Sequence, residues 1–112
     1  MTVFVKALIP IKTAETAVTT QYTAQNVTTI IDKFTATNYS AADATLTVYL
    51  TNPGETASTT SAVVLVQVVS PNETYTFPEV AGHALAPGGT IATAAGTALA
   101  LAIRASGREV TQ

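Results

Sequence analysis

Apolar and polar residues alternate with a period of two through most of this chain, which predicts strands, and no stretch makes a convincing helix. Val3, Val5, Ala7 and Ile9 alternate with Thr2, Phe4, Lys6 and Leu8, predicting a first strand that ends at Pro10. Both of its faces carry apolar groups, so it is expected either at a sheet centre or against a partner. Val18, Thr20 and Tyr22 share one face of a second strand. In a third, over 27–37, Ile30, Asp32, Phe34 and Ala36 oppose Ile31, Lys33, Thr35 and Thr37. A polar loop at 38–43 follows, and then Leu46, Val48 and Leu50 alternate with Thr45, Thr47 and Tyr49. These two strands are expected to pair antiparallel across the loop, with Thr45, Thr47 and Tyr49 turned to solvent or a neighbour. The run 62–69 is β-branched and apolar on both faces, the signature of a strand at the centre of a sandwich.

Turn chemistry separates the strands. Asn52-Pro53-Gly54-Glu55 fits a type II turn, with Pro presetting φ and Gly taking φ > 0. Ser70-Pro71-Asn72-Glu73 and Ala86-Pro87-Gly88-Gly89 repeat that chemistry, Asn72 being able to adopt the left-handed conformation. Between the last two, Tyr75 and Phe77 point one way and Thr74 and Thr76 the other. Residues 92–105 are the ambiguous stretch, because alanine favours helix. Leu99, Leu101 and Ile103 at period two, opposite Ala98, Ala100, Ala102 and Arg104 and bracketed by Gly96 and Gly107, favour a strand. The count is about eight short strands, which predicts an all-β, antiparallel β-sandwich of jelly-roll or immunoglobulin-like topology, the jelly roll being preferred. No linker or internal repeat divides 1–112, so a single domain is expected.

Composition changes this picture in one respect. Apolar residues make up 47% of the chain, enough for a core, but charged residues only 11%, against roughly 25% in an ordinary soluble domain. Threonine and alanine together exceed a third of the residues, and threonine supplies strands with a neutral polar outer face. Such low charge gives little electrostatic protection against association and points to a surface covered by partners. The net charge of −2 without a basic run argues against nucleic acid. No apolar run approaches the ~20 residues of a membrane span, so no membrane is expected. The beginning of the chain, interrupted by Lys6, Pro10 and Lys12, lacks a signal-peptide pattern, so synthesis in a cytoplasm without ordinary export is expected.

Candidate chemistry is nearly absent. There is no cysteine, hence no disulfide or thiolate site. The single histidine, His83, stands four residues after Glu79, but Pro78 and Gly82 make a helix there improbable, so it reads as a loop or edge residue. The carboxylates are scattered, and no spacing suits calcium or zinc. Asp32-Lys33 and Arg108-Glu109 read as solvated or interface ion pairs. No catalytic residue, no metal site and no cofactor are expected; the protein is expected not to be an enzyme. A sugar platform would need exposed aromatics. There is no tryptophan, and Tyr22, Tyr75 and Phe77 look inward by alternation, which leaves Tyr39 and Tyr49. Ala98, Ala100 and Ala102 predict a flat outward face suited to close approach, and the strands 3–9 and 63–69 carry more apolar surface than one core needs, which points to a subunit that binds others.

Beyond these patterns, Glu73-Thr74-Tyr75, the run 82–91 (GHALAPGGTI), the ending 103–110 (IRASGREV) and the block from Val27 to Leu50 resemble the cement, or decoration, proteins of short-tailed phages. Gly89 departs from the polar Asp or Glu expected there. The resemblance implies a jelly-roll sandwich on the capsid exterior of a virion, made in the host bacterial cytoplasm. It further implies binding to the phage major capsid protein as a homodimer, so that neighbouring capsid subunits are bridged. The expected interface comprises Thr2, Val3 and Phe4, Tyr39 and Asp43 of the 38–43 loop, Tyr49, and Ala98, Ala100, Ala102 and Arg104 of the last strand. Rival expectations are another virion component, such as a head-fibre base or tail protein, and a glycan-binding β-sandwich module.

Overall fold

The computed structural model describes residues 2–111. Nine strands form two antiparallel sheets packed face to face: β1 (Val3–Thr13), β2 (Thr19–Thr23), β3 (Val27–Asn38), β4 (Ala44–Thr51), β5 (Ala62–Val69), β6 (Thr74–Thr76), β7 (Ala84–Leu85), β8 (Thr90–Ala95) and β9 (Leu101–Thr111). One sheet runs β1-β9-β3-β6, with β7 also on β3, and the other runs β2-β8-β4-β5. The fold is therefore the expected all-β, antiparallel sandwich. Across the sandwich β1 lies by β2, and β5 lies by β3, so the outer edges β1 and β5 fall on opposite sides.

The core is built from Ile9, Ile31, Phe34, Leu46, Val48, Val69, Phe77, Val80, Ile91, Leu101 and Ile103, all essentially without solvent contact. Phe77 meets Phe34 edge to face at 5.2 Å and Tyr75 at 4.7 Å, ring geometries that add to simple area burial. All three proline turns form. Gly54 and Gly88 take φ of 78° and 95°, and Asn72 takes 63°. In the first two turns to be reached, a carboxylate adds a tie: Glu55 Oε1 accepts from the Asn52 N–H and Glu73 Oε1 from the Ser70 N–H, each at 2.9 Å.

The pairing departs from the expectation in four places. β3 and β4 do not form a hairpin; they belong to different sheets, and residues 38–43 carry the chain from one to the other. Buried Asn38 pins this crossing: its amide donates to the carbonyls of Ala42 and Val69 at 2.8 Å, and its Oδ1 accepts from the Ser40 N–H. Strand β5 is an edge, not a centre. Its ladder with β4 slips between Val64 and Gln67, leaving Leu65 and Val66 unpaired and 59% and 60% exposed. β1 does not stop at Pro10 but continues to Thr13, since an edge strand with an irregular register there needs no N–H from proline. Finally, Gly107 lies within β9, not at its end.

That glycine sits at the most constrained point of the larger sheet. In the β3–β9 ladder Ile31 faces Gly107 and Lys33 faces Ser106, so Asp32 is an extra residue, a β-bulge. The bulge reverses the alternation: Thr29 and Ile31 point inward before it, Phe34, Ala36 and Asn38 after it, and Asp32 and Lys33 both point out. A Cβ on residue 107 would stand 2.2 Å from the Ile30 carbonyl oxygen and 2.8 Å from Leu8 Cδ1, so only glycine fits. We expect Gly107→Ala to cost about 2–3 kcal/mol in urea unfolding, against about 1 kcal/mol for Gly54→Ala, which meets only the left-handed φ penalty. Equal unfolding midpoints for the two variants would contradict this packing.

Candidate functional site

Among the described residues, no three His, Cys, Asp or Glu side chains gather as a metal site would need. Nor, among those residues, is any helix long and apolar enough to cross a membrane. His83 is exposed, and its main chain, not its ring, is engaged: its carbonyl accepts the Ile31 N–H at 2.9 Å. What the fold does present is surface, and it presents it at two edges and on one outer face.

The first edge is the start of β1. Val3, Phe4, Val5 and Lys6 are consecutive and all exposed, so neither face of the strand is covered until Leu8. Val5 is 86% exposed. Opposite residues of an antiparallel pair share a face. Val3 opposes Val110 and Val5 opposes Arg108, while Thr28 and Ile30 of β3 oppose the same two residues from the other side. Val3, Val5, Val110 and half-buried Ile30 therefore make one apolar patch on the outside of the larger sheet. Thr2 ties its end, its N–H donating to Thr111 Oγ1 at 2.9 Å.

The second edge is the β5 bulge, where Leu65, Val66 and Val68 are exposed together. Val66 has φ of 51°, a left-handed conformation that a β-branched residue rarely adopts, and its N–H is held by Thr47 Oγ1 at 3.0 Å. The fold thus displays an apolar side chain at the expense of local strain. Leu99 repeats the combination at the turn before β9, exposed with φ of 55°.

Two residues of the expected interface prove buried, as does Thr47, whose hydroxyl lies under the β5 bulge. Ala100 has no solvent exposure: the left-handed Leu99 turns the chain inward, and the Ala100 carbonyl accepts the Tyr39 N–H at 2.9 Å. The anticipated alanine face does not exist, since Ala98 lies in the exposed turn and, of that expected set, only Ala102 and Arg104 point out from β9. Tyr49 is 9% exposed, because it opposes Ala62 beneath the short 3-10 turn Thr59–Ser61 that packs on β4. Leu99, expected within the strand, lies before it. Tyr39 and Asp43 are exposed as expected, and the Tyr39 hydroxyl bonds Thr13 Oγ1 at 3.1 Å. The expected interface does not name Val5, Leu65, Val66, Val68 or Lys33, although the first four lie in the two strands whose apolar surplus the sequence shows. A glycine-free run that is apolar on both faces was the available signal for the first four, but it reads equally as a strand at a sheet centre.

The adjacent opposite charges do not pair with each other. Arg108 reaches across to Asp32 with two bonds of 3.0 and 2.9 Å, and Glu109 on the other face meets Lys6 at 3.4 Å and the Tyr22 hydroxyl. Tyr22 Oη also bonds Thr29 Oγ1 at 2.6 Å, and Lys6 Nζ stands 5.9 Å from its ring. Burial, and then the Glu109 carboxylate, push the Tyr22 phenol from 10.0 up to about 12.

No protein-family model, curated protein or solved structure matches the chain.

A tyrosine whose folded pKa is raised keeps its proton longer in the native state than in the unfolded chain. Its stabilisation is complete below pH 10 and is lost as pH rises toward about 12. We expect absorbance titration to find one phenol ionising near 12, absent in Tyr22→Phe, and this variant to lose less stability across that window. An unchanged late phenol in Tyr22→Phe would contradict the assignment.

Proposed function

We propose that this chain is a non-enzymatic structural virion protein. In this reading it binds the outside of an icosahedral phage capsid as a homodimer and cements neighbouring major capsid subunits. The observation that carries the proposal is the pair of apolar edges on opposite sides of the sandwich, Val3–Val5–Val110 on one and Leu65–Val66–Val68 on the other. A monomer gains nothing from exposing either, and a bridge needs two. The resemblance of the 82–91 and 103–110 segments to cement proteins supplies the identity of the partner. The strand orders β1-β9-β3-β6 and β2-β8-β4-β5 support the jelly-roll form that the same resemblance implies.

The mechanism is mechanical. A molecule attached to two shell subunits must release both before they separate under the pressure of packaged DNA. Each contact need be no more than on the order of 1,000 Å², because the second attachment occurs at high effective concentration once the first is made. Left-handed Val66 fits this role: covering it with a partner would recover apolar burial that the free protein forgoes. A glycan-binding role has lost support, as Tyr49 is buried and the Tyr39 hydroxyl is already bonded to Thr13.

The test adds purified protein to tailed-phage shells stripped of their decoration and images the particles. Density outside the shell, bridging adjacent major capsid subunits, is expected; density confined to the tail or fibre vertex would favour the other virion roles, and none at all would sink the proposal. Phe4→Asp and Leu65→Asp should each weaken shell binding at least about tenfold with melting unchanged. Val66→Asn is expected to move the two readouts in opposite directions. It relieves the left-handed valine, stabilising the free protein by about 1 kcal/mol, while weakening attachment. Ala100→Glu cannot serve as a surface probe, since it would place a carboxylate in the core.

A further inference from the structure

Lysine and arginine number five in the chain, and three are already neutralised: Lys6 by Glu109, Lys12 by Glu15 and Arg108 by Asp32. Lys33 and Arg104, among the described residues, have no carboxylate, and they stand in the same place. They line one groove on the outer face of the larger sheet together with the hydroxyls of Thr35 and Ser106, around a volume of about 250 Å³. The register explains the arrangement. Lys33 opposes Ser106 and Thr35 opposes Arg104, two successive cross-strand pairs, so the cations sit diagonally with a hydroxyl beside each. Lys33 reaches this face only because the Asp32 bulge turns it outward; unbroken alternation from Ile31 would have pointed it into the core.

We propose that this groove is a carboxylate-docking site that takes an Asp or Glu side chain of the protein to which the chain attaches. The inference rests on the reading of the chain as an assembly subunit and adds to it the chemistry of one contact. Charge complementarity selects the occupant. In a chain of net charge −2, two uncompensated cations with two hydroxyl donors between them suit an anion that brings one or two charges. A phosphate polymer or sulfated glycan would need cations continuing along a track, but the next one, Arg108, is held by both oxygens of Asp32. No aromatic side chain lines the groove on which a sugar ring could stack. The groove also lies between the Val3–Val5–Val110 patch and Tyr39 along the same face. A partner seated on that patch therefore lies across the groove, where the ion pair would fix register more than affinity.

The experiment titrates the isotopically labelled full chain with an acetylated tetraglutamate peptide, followed by amide NMR, with tetraglutamine as control. Saturable shifts at Lys33, Thr35, Arg104 and Ser106 with the acidic peptide alone are expected. They should persist in the Lys6→Gln/Lys12→Gln variant and vanish in Lys33→Gln/Arg104→Gln, whose other amides stay in place. The latter variant should also bind stripped shells about tenfold more weakly, in a salt-dependent way. Shifts spread over all cations, tighter binding of a sulfated disaccharide at the same amides, or self-association abolished by Lys33→Gln/Arg104→Gln would each overturn the proposal, the last assigning the groove to a second copy. Normal shell binding by that variant would overturn it while leaving the assembly reading standing. Absence of shell binding by the unaltered protein would remove the assembly reading while the peptide titration still reports on the groove.

Discussion

The structure depends on one close approach, that of the β9 backbone at Gly107 to the Ile30 carbonyl of β3. A side chain there would meet the oxygen at 2.2 Å, so the central ladder of the larger sheet closes only because residue 107 has none. Beside it the Asp32 bulge inserts one residue, and that insertion decides which way everything after it on β3 points. Phe34 turns into the core, where it meets Phe77, and Ala36 and Asn38 follow. Asn38 in turn holds the crossing to the second sheet. Packing, connectivity and surface chemistry are thus joined at a single irregularity, as is common where bulges re-aim side chains.

The same irregularity writes the outer face. Asp32 and Lys33 both emerge, but with different fates: Asp32 is clamped by Arg108, and Lys33 is left with Arg104 as an unbalanced pair. In a chain with so few charges, placement matters more than number. Threonine is the residue most often exposed, and it satisfies strands without attracting or repelling anything strongly. Against that neutral ground the exposed apolar residues of β1 and β5 and the Lys33–Arg104 groove stand out. Strain falls in the same regions, with left-handed Val66 and Leu99 both exposed.

Much of the fold was legible in the residues, and the reasons are local. Pro-Gly and Pro-Asn turns declare themselves through φ, and all three formed. Alternation identified strands and most inward residues, Tyr22 and Phe77 among them. Properties that depend on neighbours distant in sequence were not legible. A strand apolar on both faces, such as 62–69, reads as a sheet centre, yet it is an edge whose apolar surplus faces outward. A bulge inverts parity without changing composition, so plain alternation puts Asp32 on the face of Phe34, whereas it points out. The 38–43 loop looked like a hairpin because nothing local distinguishes a turn within a sheet from a crossing between sheets. The candidate interface followed suit: Val3, Phe4, Tyr39 and Arg104 are exposed, whereas Ala100 and Tyr49 are buried by contacts that alternation cannot encode.

The central claim, that this chain is a repeated cement of a phage shell, is tested most directly by counting it. Quantitative mass spectrometry of purified particles, referenced to the major capsid protein, measures copies per virion. The account predicts on the order of hundreds, in a fixed ratio to the shell subunit, as symmetric repetition over an icosahedral surface requires. A few to some dozens of copies per particle, the number a tail or fibre base would supply, or no particle association at all, would contradict it.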